Sequence, residues 1–424
     1  MSVTICVYED DAFRQFFPLT WLRPVATLRA GIVPLFGRAH RHFPDARLVL
    51  LTRDDISKLT GHMYPDVPVN IIKREEGEDV LFVNGRIRSW GKLVQQVREA
   101  RLSSRFVNEK SETVAVLFRA PLADHVSKVT TGAEYVQVFK QEAKDVPDLK
   151  TTATLYQYLW DIVADIDEAI TEDFQHLEIR NSDLAQVHAG AFMVNEPRVF
   201  LGRGATIFPG AVIDASLGPV YIGANTRVES HAAVYGPSAI GPNSIVGAGK
   251  FAEVSIGETS RIGGEIEASI FQSYVNKNHA GFIGHSYVGS WVNFGAMTTN
   301  SDLKNNYATI RVQVDGKSID SGSIKIGSFI GDHTKFGIGT LLNTGIAVGP
   351  CCNIFGGSLL TDKDVPPFRW GNSSQWDVYQ FDKAMETAAR TAERRKQTLS
   401  DHERAVLQKV FKVSANSDGC VRFD

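Results

Sequence analysis

Apolar residues in the first part of the chain fall in short runs separated by helix-like spacings. Residues 5–8, within 3–8, read as a buried first strand. Residues 47–51, 69–72, 80–83 and 113–118 read as further strands. Residues 93–100 and 154–170 carry helical spacing. In the second segment Leu155, Leu159, Ile162, Val163, Ile166 and Ile170 share one face. Alternating strands and helices predict an open α/β sheet over residues 1–185.

The period then changes. Over residues 186–366 glycine and small residues are dense and no helical stripe survives. Ile222, Val228, Val234, Ile240 and Val246 are six apart, with Gly223 and Gly241 each following an aliphatic. Leu201, Ile207 and Ile213 keep this step upstream, and Phe282, Val288 and Phe294 keep it downstream. A longer run is Ile324, Ile330, Phe336, Leu342, Val348, Ile354 and Leu360. A sixfold apolar repeat predicts a coil with three short faces, each sending one aliphatic into a narrow core. Such coils are stable only when stacked. The period breaks between about Asn300 and Gly322, where a polar loop is expected to leave the solenoid. Residues 367–424 turn helical. Val378, Phe381, Ala384, Met385 and Ala388 form one stripe. Ser400 and Glu403 form a capping box ahead of Ala405, Val406, Leu407, Val410 and Phe411.

Composition narrows the class. At 424 residues and 43% hydrophobic the chain can bury a large core. A net charge of -3 gives no footprint for wholesale nucleic-acid binding. No apolar run reaches membrane-spanning length, and the acidic Glu9-Asp10-Asp11 follows a start unlike a signal peptide. The four cysteines, Cys6, Cys351, Cys352 and Cys420, make no CxxC pair, so a reduced cytoplasmic setting is expected.

Residues 276–307 read NKNHAGFIGHSYVGSWVNFGAMTTNSDLKNNY, and residues 18–32 read PLTWLRPVATLRAGI. Together these resemble the bifunctional N-acetylglucosamine-1-phosphate uridylyltransferase/glucosamine-1-phosphate acetyltransferase family, in its GlmU-like branch of sugar nucleotidyltransferases. The resemblance implies a nucleotidyltransferase-like (Rossmann-like) α/β domain, then a left-handed parallel β-helix of hexapeptide repeats, then a helical tail. It implies acetyl-CoA as co-substrate, an amino-sugar phosphate as acceptor, and a homotrimer. It also implies sugar-1-phosphate nucleotidyltransfer from an NTP with Mg²⁺, as in UDP-N-acetylglucosamine formation. The family's base falls on His279, its sugar-contacting Glu on Glu265, and an Asn fourteen after the base on Asn293. The Asn-Tyr pair of the following loop falls on Asn306-Tyr307. Two positions depart from the family: Phe282 stands where it has Tyr, and Glu267 where it has Lys.

The residues suit acyl transfer. An imidazole with a reference pKa of about 6.5 can take the proton of an attacking amine. Backbone N–H groups beside Gly295 and Ala296 are candidate oxyanion donors. Lys277 and Lys304 are candidates for a sugar phosphate, and Arg311 and Lys335 for the phosphates of CoA. His231, His285 and His333 are expected to be solvated surface residues.

The front domain has no GxGxR loop after its first strand, which leaves Arg23 and Arg29 as candidate phosphate contacts. Arg86 stands where the family's strand ends in a metal-binding Asp. A guanidinium cannot ligate Mg²⁺ but can pair with phosphate. Three readings follow: an acetyltransferase with a nucleotidyltransferase-like front domain, a nucleotidyltransferase whose β-helix only assembles a trimer, and an inactive sugar-phosphate-binding scaffold.

Overall fold

A computed structural model describes residues 3–73, 75, 77–120, 122–127, 131–177 and 184–415. Cys420 lies outside them. The chain divides into two compact units. The first comprises Met1–Phe13, Leu22–Leu28 and Pro34–Gln157, and the second Arg14–Trp21, Arg29–Val33 and Tyr158–Asp424.

The first unit is built on one mixed sheet. Its strand order is Arg47–Leu51, Val3–Tyr8, Asp79–Asn84, Thr113–Phe118, Ser104–Val107, Asp148–Lys150. The first three run parallel, and Thr113–Phe118 is antiparallel to both of its neighbours. Strand alternation sends Val3, Ile5 and Val7 into one core and Cys6 and Tyr8 into the other, so both faces of the sheet are buried. Residues 69–72 do not form the expected strand. Val69 makes only an isolated bridge to Leu50, and the amide of Asn70, at positive φ, bonds back to Thr52.

In the second unit, the helical pattern of residues 154–170 resolves into a short strand, Thr154–Leu155, on the first unit's side of the boundary, and the helices Leu159–Ala164 and Ile166–Gln175. The break falls at Asp165. The solenoid follows, and its parallel ladders set three inward columns. One runs Leu201, Ile222, Ile240, Ile256, Phe271, Val288, Ile330, Val348, Val365. A second runs Ile213, Val234, Phe251, Ile266, Ile283. A third runs Ile207, Val228, Val246, Ile262, Lys277. Nearly every member is fully buried in a single core.

Two sixfold positions fall out of phase. Phe282 is only half-buried, because Ile283 takes the inward place and the next inward residue, Val288, comes five positions later. Ile324 is 46% exposed, because it lies on the return limb of the ejected loop, before the chain re-enters the coil at Ser328–Ile330. That loop carries an antiparallel hairpin, Arg311–Val314 with Lys317–Asp320.

Corners follow a common rule. Asn243, Thr259, Tyr274, Trp291, His333, Cys351 and Phe368 all have φ between +55 and +64. The N–H of each donates to a carbonyl of the coil before, at 2.8–3.2 Å. A left-handed backbone costs a non-glycine residue about 1 kcal/mol. Here that cost is offset by a hydrogen bond the flat wall needs. Gly257 meets the stacking constraint at its tightest: an added Cβ would sit 1.2 Å from the Gln272 carbonyl oxygen.

The two polar members of the inward set are Lys277, 1% exposed, and Asn300, 4% exposed. Asn300 exchanges both amide groups with Gly284 and aligns with Leu342. The Lys277 ammonium donates to the carbonyls of Gly263 (3.2 Å) and His279 (2.5 Å), and burial pulls its pKa down from 10.5 to about 8.

After the last coils, helices Phe381–Glu393 and Asp401–Ala415 pack through Phe368, Phe381 and Phe411. The capping box is half formed. Ser400 caps the Glu403 N–H, while the Glu403 carboxylate meets His333 at 2.9 Å. Among the described residues no helix is long and apolar enough to cross a membrane.

Gly257→Ala should destabilise the second unit by about 3 kcal/mol or more, because the clashing atom is backbone of the next coil. Denaturant unfolding followed by circular dichroism checks this, and a loss below about 1 kcal/mol would mean the coils part easily. Lys277 sets a pH dependence. Between its folded value of about 8 and its unfolded value of 10.5 the unfolded chain binds the extra proton, so stability rises with pH across that window. Lys277→Met should flatten the rise in urea midpoint between about pH 8 and pH 10.

Candidate active site

His279 sits at an exposed corner between strands Asn276–Lys277 and Phe282–Gly284. The same corner recurs in the neighbouring coils. Glu265 N–H donates to Gly281 O (3.2 Å), Met297 N–H to Ala280 O (2.9 Å), and Gly339 N–H to Ala296 O (2.8 Å). Ala296 therefore lies on the His279 corner one coil on, while Glu265, in register with Phe282, lies on the strand just past this corner one coil before. Only glycine fits at 264: φ is +79, and an added Cβ would lie 2.9 Å from His279 O. From below, the Lys277 ammonium grips the His279 carbonyl. Lys277 was expected to face a sugar phosphate; it is instead an inward residue whose charge holds this corner.

Glu265 is exposed and lies 3.6 Å from Lys250, which also approaches Glu267 at 3.8 Å. Lys325, from the returning loop, stands 3.8 Å from the other Glu267 oxygen. Cations thus flank the position where the family's lysine is replaced. The sequence hid them because both come from outside this coil. Gly295 does not offer an oxyanion donor: its N–H bonds to Phe336 O at 2.8 Å, and its small size serves coil stacking, with Gly337 backbone 2.6 Å from where a Cβ would stand. Among the described residues, Ala296 N–H has no recorded partner.

The flat wall leading to this corner carries Asn276 and Asn293, joined side chain to side chain at 2.8 Å, with Asn293 in register with Lys335. Lys335 donates to Trp291 O at 2.5 Å, and burial draws its pKa down to about 8. Helix Phe381–Glu393 and the residues after it close a cavity of about 300 Å³ over this wall. The cavity collects Asn293 and Lys335, and neither His279 nor Glu265 lines it.

The ejected loop is largely self-supporting. Lys304 donates to Thr309 O, Asn306 accepts from Ala308 N–H, and Arg311 donates to Ser318. Tyr307 is 68% exposed. Lys304 and Asn306 share a shallow groove with Asn343 and Thr344. Arg311 is held across the hairpin.

Of the histidines His231, His285 and His333, His231 is exposed as expected. His285 is half-buried, with Nδ1 2.7 Å from Asp302. Burial pushes the Asp302 carboxyl up, but His285 and Lys325 outweigh it and leave it below the usual carboxylate range. His333 is 4% exposed, contrary to a solvated histidine, because it packs at a coil corner against Trp291 and pairs with Glu403.

In the first unit Arg86 is buried. Its guanidinium pairs with Asp10 at 2.7 Å and donates to Tyr156 O at 2.7 Å, with Glu112 at 3.6 Å. A phosphate role for Arg86 is thereby displaced by an internal ion pair. Asn84 ties the same carboxylate at 2.8 Å. Arg23 is buried at 5% exposure. Arg29 belongs to the second unit, where it donates to the carbonyls of Gly31 and Ile32, and its own carbonyl accepts from Tyr287. Among the described residues no three His, Cys, Asp or Glu side chains gather as a metal site.

Comparison with known proteins adds family context. Residues 5–181 match the family described as "Sugar nucleotidyl transferase". The bifunctional sugar-1-phosphate nucleotidylyltransferase/acetyltransferase of Sulfurisphaera tokodaii is 33% identical over 110 residues, which cover 26% of this chain and 27% of that protein. The bifunctional protein GlmU of Methanococcus vannielii is 32% identical over 134 residues, 31% of this chain and 30% of that one. These matches span less than a third of either relative's length. The GlmU of Acaryochloris marina is 28% identical over 359 residues, 80% of this chain and 72% of that protein. Among solved structures, an Arabidopsis UDP-N-acetylglucosamine acyltransferase aligns over 56% of this chain and 93% of its own at 14% identity, with a TM-score of 0.20. The architecture therefore rests on the coil register above. Over residues 5–181 the chain is similar to the sugar nucleotidyl transferases, and its GlmU-like bifunctional relatives are about 30% identical over the stretches they share.

Proposed function

We propose that this chain is a sugar-phosphate-processing transferase whose solenoid moves an acetyl group from acetyl-CoA to the amine of an amino-sugar phosphate. The carrying observation is the corner at 279: an exposed histidine whose backbone carbonyl is held from inside by Lys277, with the exposed Glu265 on the neighbouring strand one coil before and Ala296 at the corner one coil after. In the proposed step the acceptor amine attacks the thioester carbonyl and a C–N bond forms. The tetrahedral oxyanion collapses, the C–S bond breaks and CoA leaves as thiolate. His279 takes the proton from the amine and returns it to the thiolate. Ala296 N–H faces the oxyanion. Glu265 contacts a sugar hydroxyl, and Asn293 holds the acceptor along the wall. Lys304, Asn306 and Tyr307 meet the sugar phosphate from the loop. The names of the bifunctional relatives support this reading.

The name of the Sulfurisphaera tokodaii relative and the family match support sugar-1-phosphate nucleotidyltransfer over residues 5–181, and we propose a UDP-sugar as its product. A second reading is favoured by the Arg86–Asp10 pair: the first unit binds a sugar phosphate or nucleotide without transferring it, since Arg86 stands where the family's strand ends in Asp and its guanidinium neutralises Asp10. We place the enzyme in the cytoplasm and assign it a homotrimer, because flat solenoid walls offer a self-complementary surface to neighbouring copies.

His279→Ala should lower CoA thiol release with amino-sugar phosphates by about 10²–10⁴-fold. Pyrophosphate release from NTP, sugar-1-phosphate and Mg²⁺ should be unchanged in that variant. Thiol release equal to wild type would remove His279 as the base, and absence of both activities across a broad acceptor panel would leave a binding scaffold. Light scattering should give three times the chain mass, and a monomer would undercut the shared-wall assembly.

A further inference from the structure

One outward row of the solenoid gathers positive charge beneath the C-terminal helix. Along the parallel ladder Arg261 pairs with Asn276, Asn276 with Asn293, and Asn293 with Lys335. Coils stack about 4.8 Å apart, so the two cations stand roughly 14 Å from each other along the axis, with the amide pair between them. Arg394 and Arg395, just past helix Phe381–Glu393, close the cavity of about 300 Å³ above this row. Among the described residues no carboxylate lines that cavity. The Arg395 Nε is buried without a hydrogen-bond partner. Burial, then repulsion from Arg261 and Arg394, draws the Arg395 guanidinium below its usual pKa. Lys335 gives one N–H to Trp291 O and has two left. At one end, Tyr274 and Trp291 stack with ring centres 4.1 Å apart.

Like charges gathered at a cavity that no carboxylate lines, among the described residues, destabilise a fold, so a structural role alone would favour neutral side chains here. We infer that this trough binds the phosphate groups of a phosphorylated ligand. Guanidinium and ammonium donors supply charge-assisted hydrogen bonds to phosphate oxygens. Asn276 and Asn293 supply neutral donors between them, and the Tyr274–Trp291 stack offers a wall for a planar group. The inference rests on the proposed acetyl transfer for its class of ligand and shares Asn293 with it, while none of its residues is the proposed base. Two sources share this chemistry: a nucleotide-bearing acyl donor and a sugar phosphate.

The test is thermal shift and calorimetry on the full chain with three probes: inorganic pyrophosphate, ADP and glucosamine-1-phosphate. Saturable binding of at least one probe is expected, weakened about tenfold or more by Lys335→Met and by Arg395→Met, and unchanged by the exposed control Lys409→Met. Without ligand, Arg395→Met should hold or raise the melting temperature, since it relieves repulsion; a purely structural arginine would lower it. Preference for ADP over pyrophosphate assigns the nucleotide source, and preference for glucosamine-1-phosphate assigns the sugar phosphate. His279→Ala should bind as wild type, so loss of acetyl transfer and failure of this site are told apart. No saturable binding to any probe, or affinity undiminished in both variants, overturns the inference.

Discussion

Every coil of the solenoid depends on its neighbour for both its core and its backbone hydrogen bonds. A coil three faces around has room for about one side chain per face, so it cannot exclude water alone. Stacking supplies the missing partners: Ile256 rests between Ile240 and Phe271, and Val348 between Ile330 and Val365. The same stacking dictates the corners. The wall turns sharply only where the backbone goes left-handed, and even Tyr274, Trp291 and His333 accept that conformation because each N–H then reaches the coil below. The rest of the second unit is arranged around this rigid prism.

That constraint explains which features were legible in the sequence. An inward residue every sixth position is a strong periodic signal, so Ile222 to Val246 and Ile330 to Leu360 could be read directly. The period fails where a corner is one residue shorter, which puts Ile283 rather than Phe282 inside. It fails again where a loop leaves and returns, which exposes Ile324. Side-chain partners across coils were illegible for a different reason. Asp302 beside His285, Glu403 beside His333, and Lys250 and Lys325 beside Glu267 are brought together by three-dimensional register, and no local spacing encodes it. The same is true of Arg394 and Arg395, which reach the cavity beside Lys335 and Asn293 from the C-terminal helical region.

The first unit shows the opposite balance. Four of the strands read from short apolar runs lie in the sheet; residues 69–72 do not, because side-chain hydrogen bonding at Asn70 displaces them, and Ser104–Val107 and Asp148–Lys150 carry too short an apolar run to be read. The chemistry of its surface is harder to read, because charge is neutralised internally. Arg86 was visible as an anomaly in the strand 79–84 region, but Asp10, its partner, lies 76 residues away in the chain. Together with Glu9 and Arg53, it gives the end of strand Val3–Tyr8 a set of closed ion pairs. Such pairs do more to fix geometry than to add stability, since desolvation takes back much of what attraction supplies.

The strongest link between fold and candidate site is the lysine inside the prism. Position 277 is one where the ladder elsewhere places Val246 and Ile262, and an aliphatic there would fill the core without burying a charge. Lysine instead carries an ammonium into an apolar interior, which is unfavourable unless acceptors meet it. The acceptors are the carbonyls of Gly263 and His279, on the two coils that carry Glu265 and the exposed imidazole. A hydrophobic core therefore gives up some stability beneath a corner that carries Gly264, His279 and Gly281. Local departures from an otherwise regular rule tend to mark sites that must be held in one geometry. Here the departure lies directly beneath the residue proposed to move a proton, and it ties that residue's backbone to the most rigid part of the molecule.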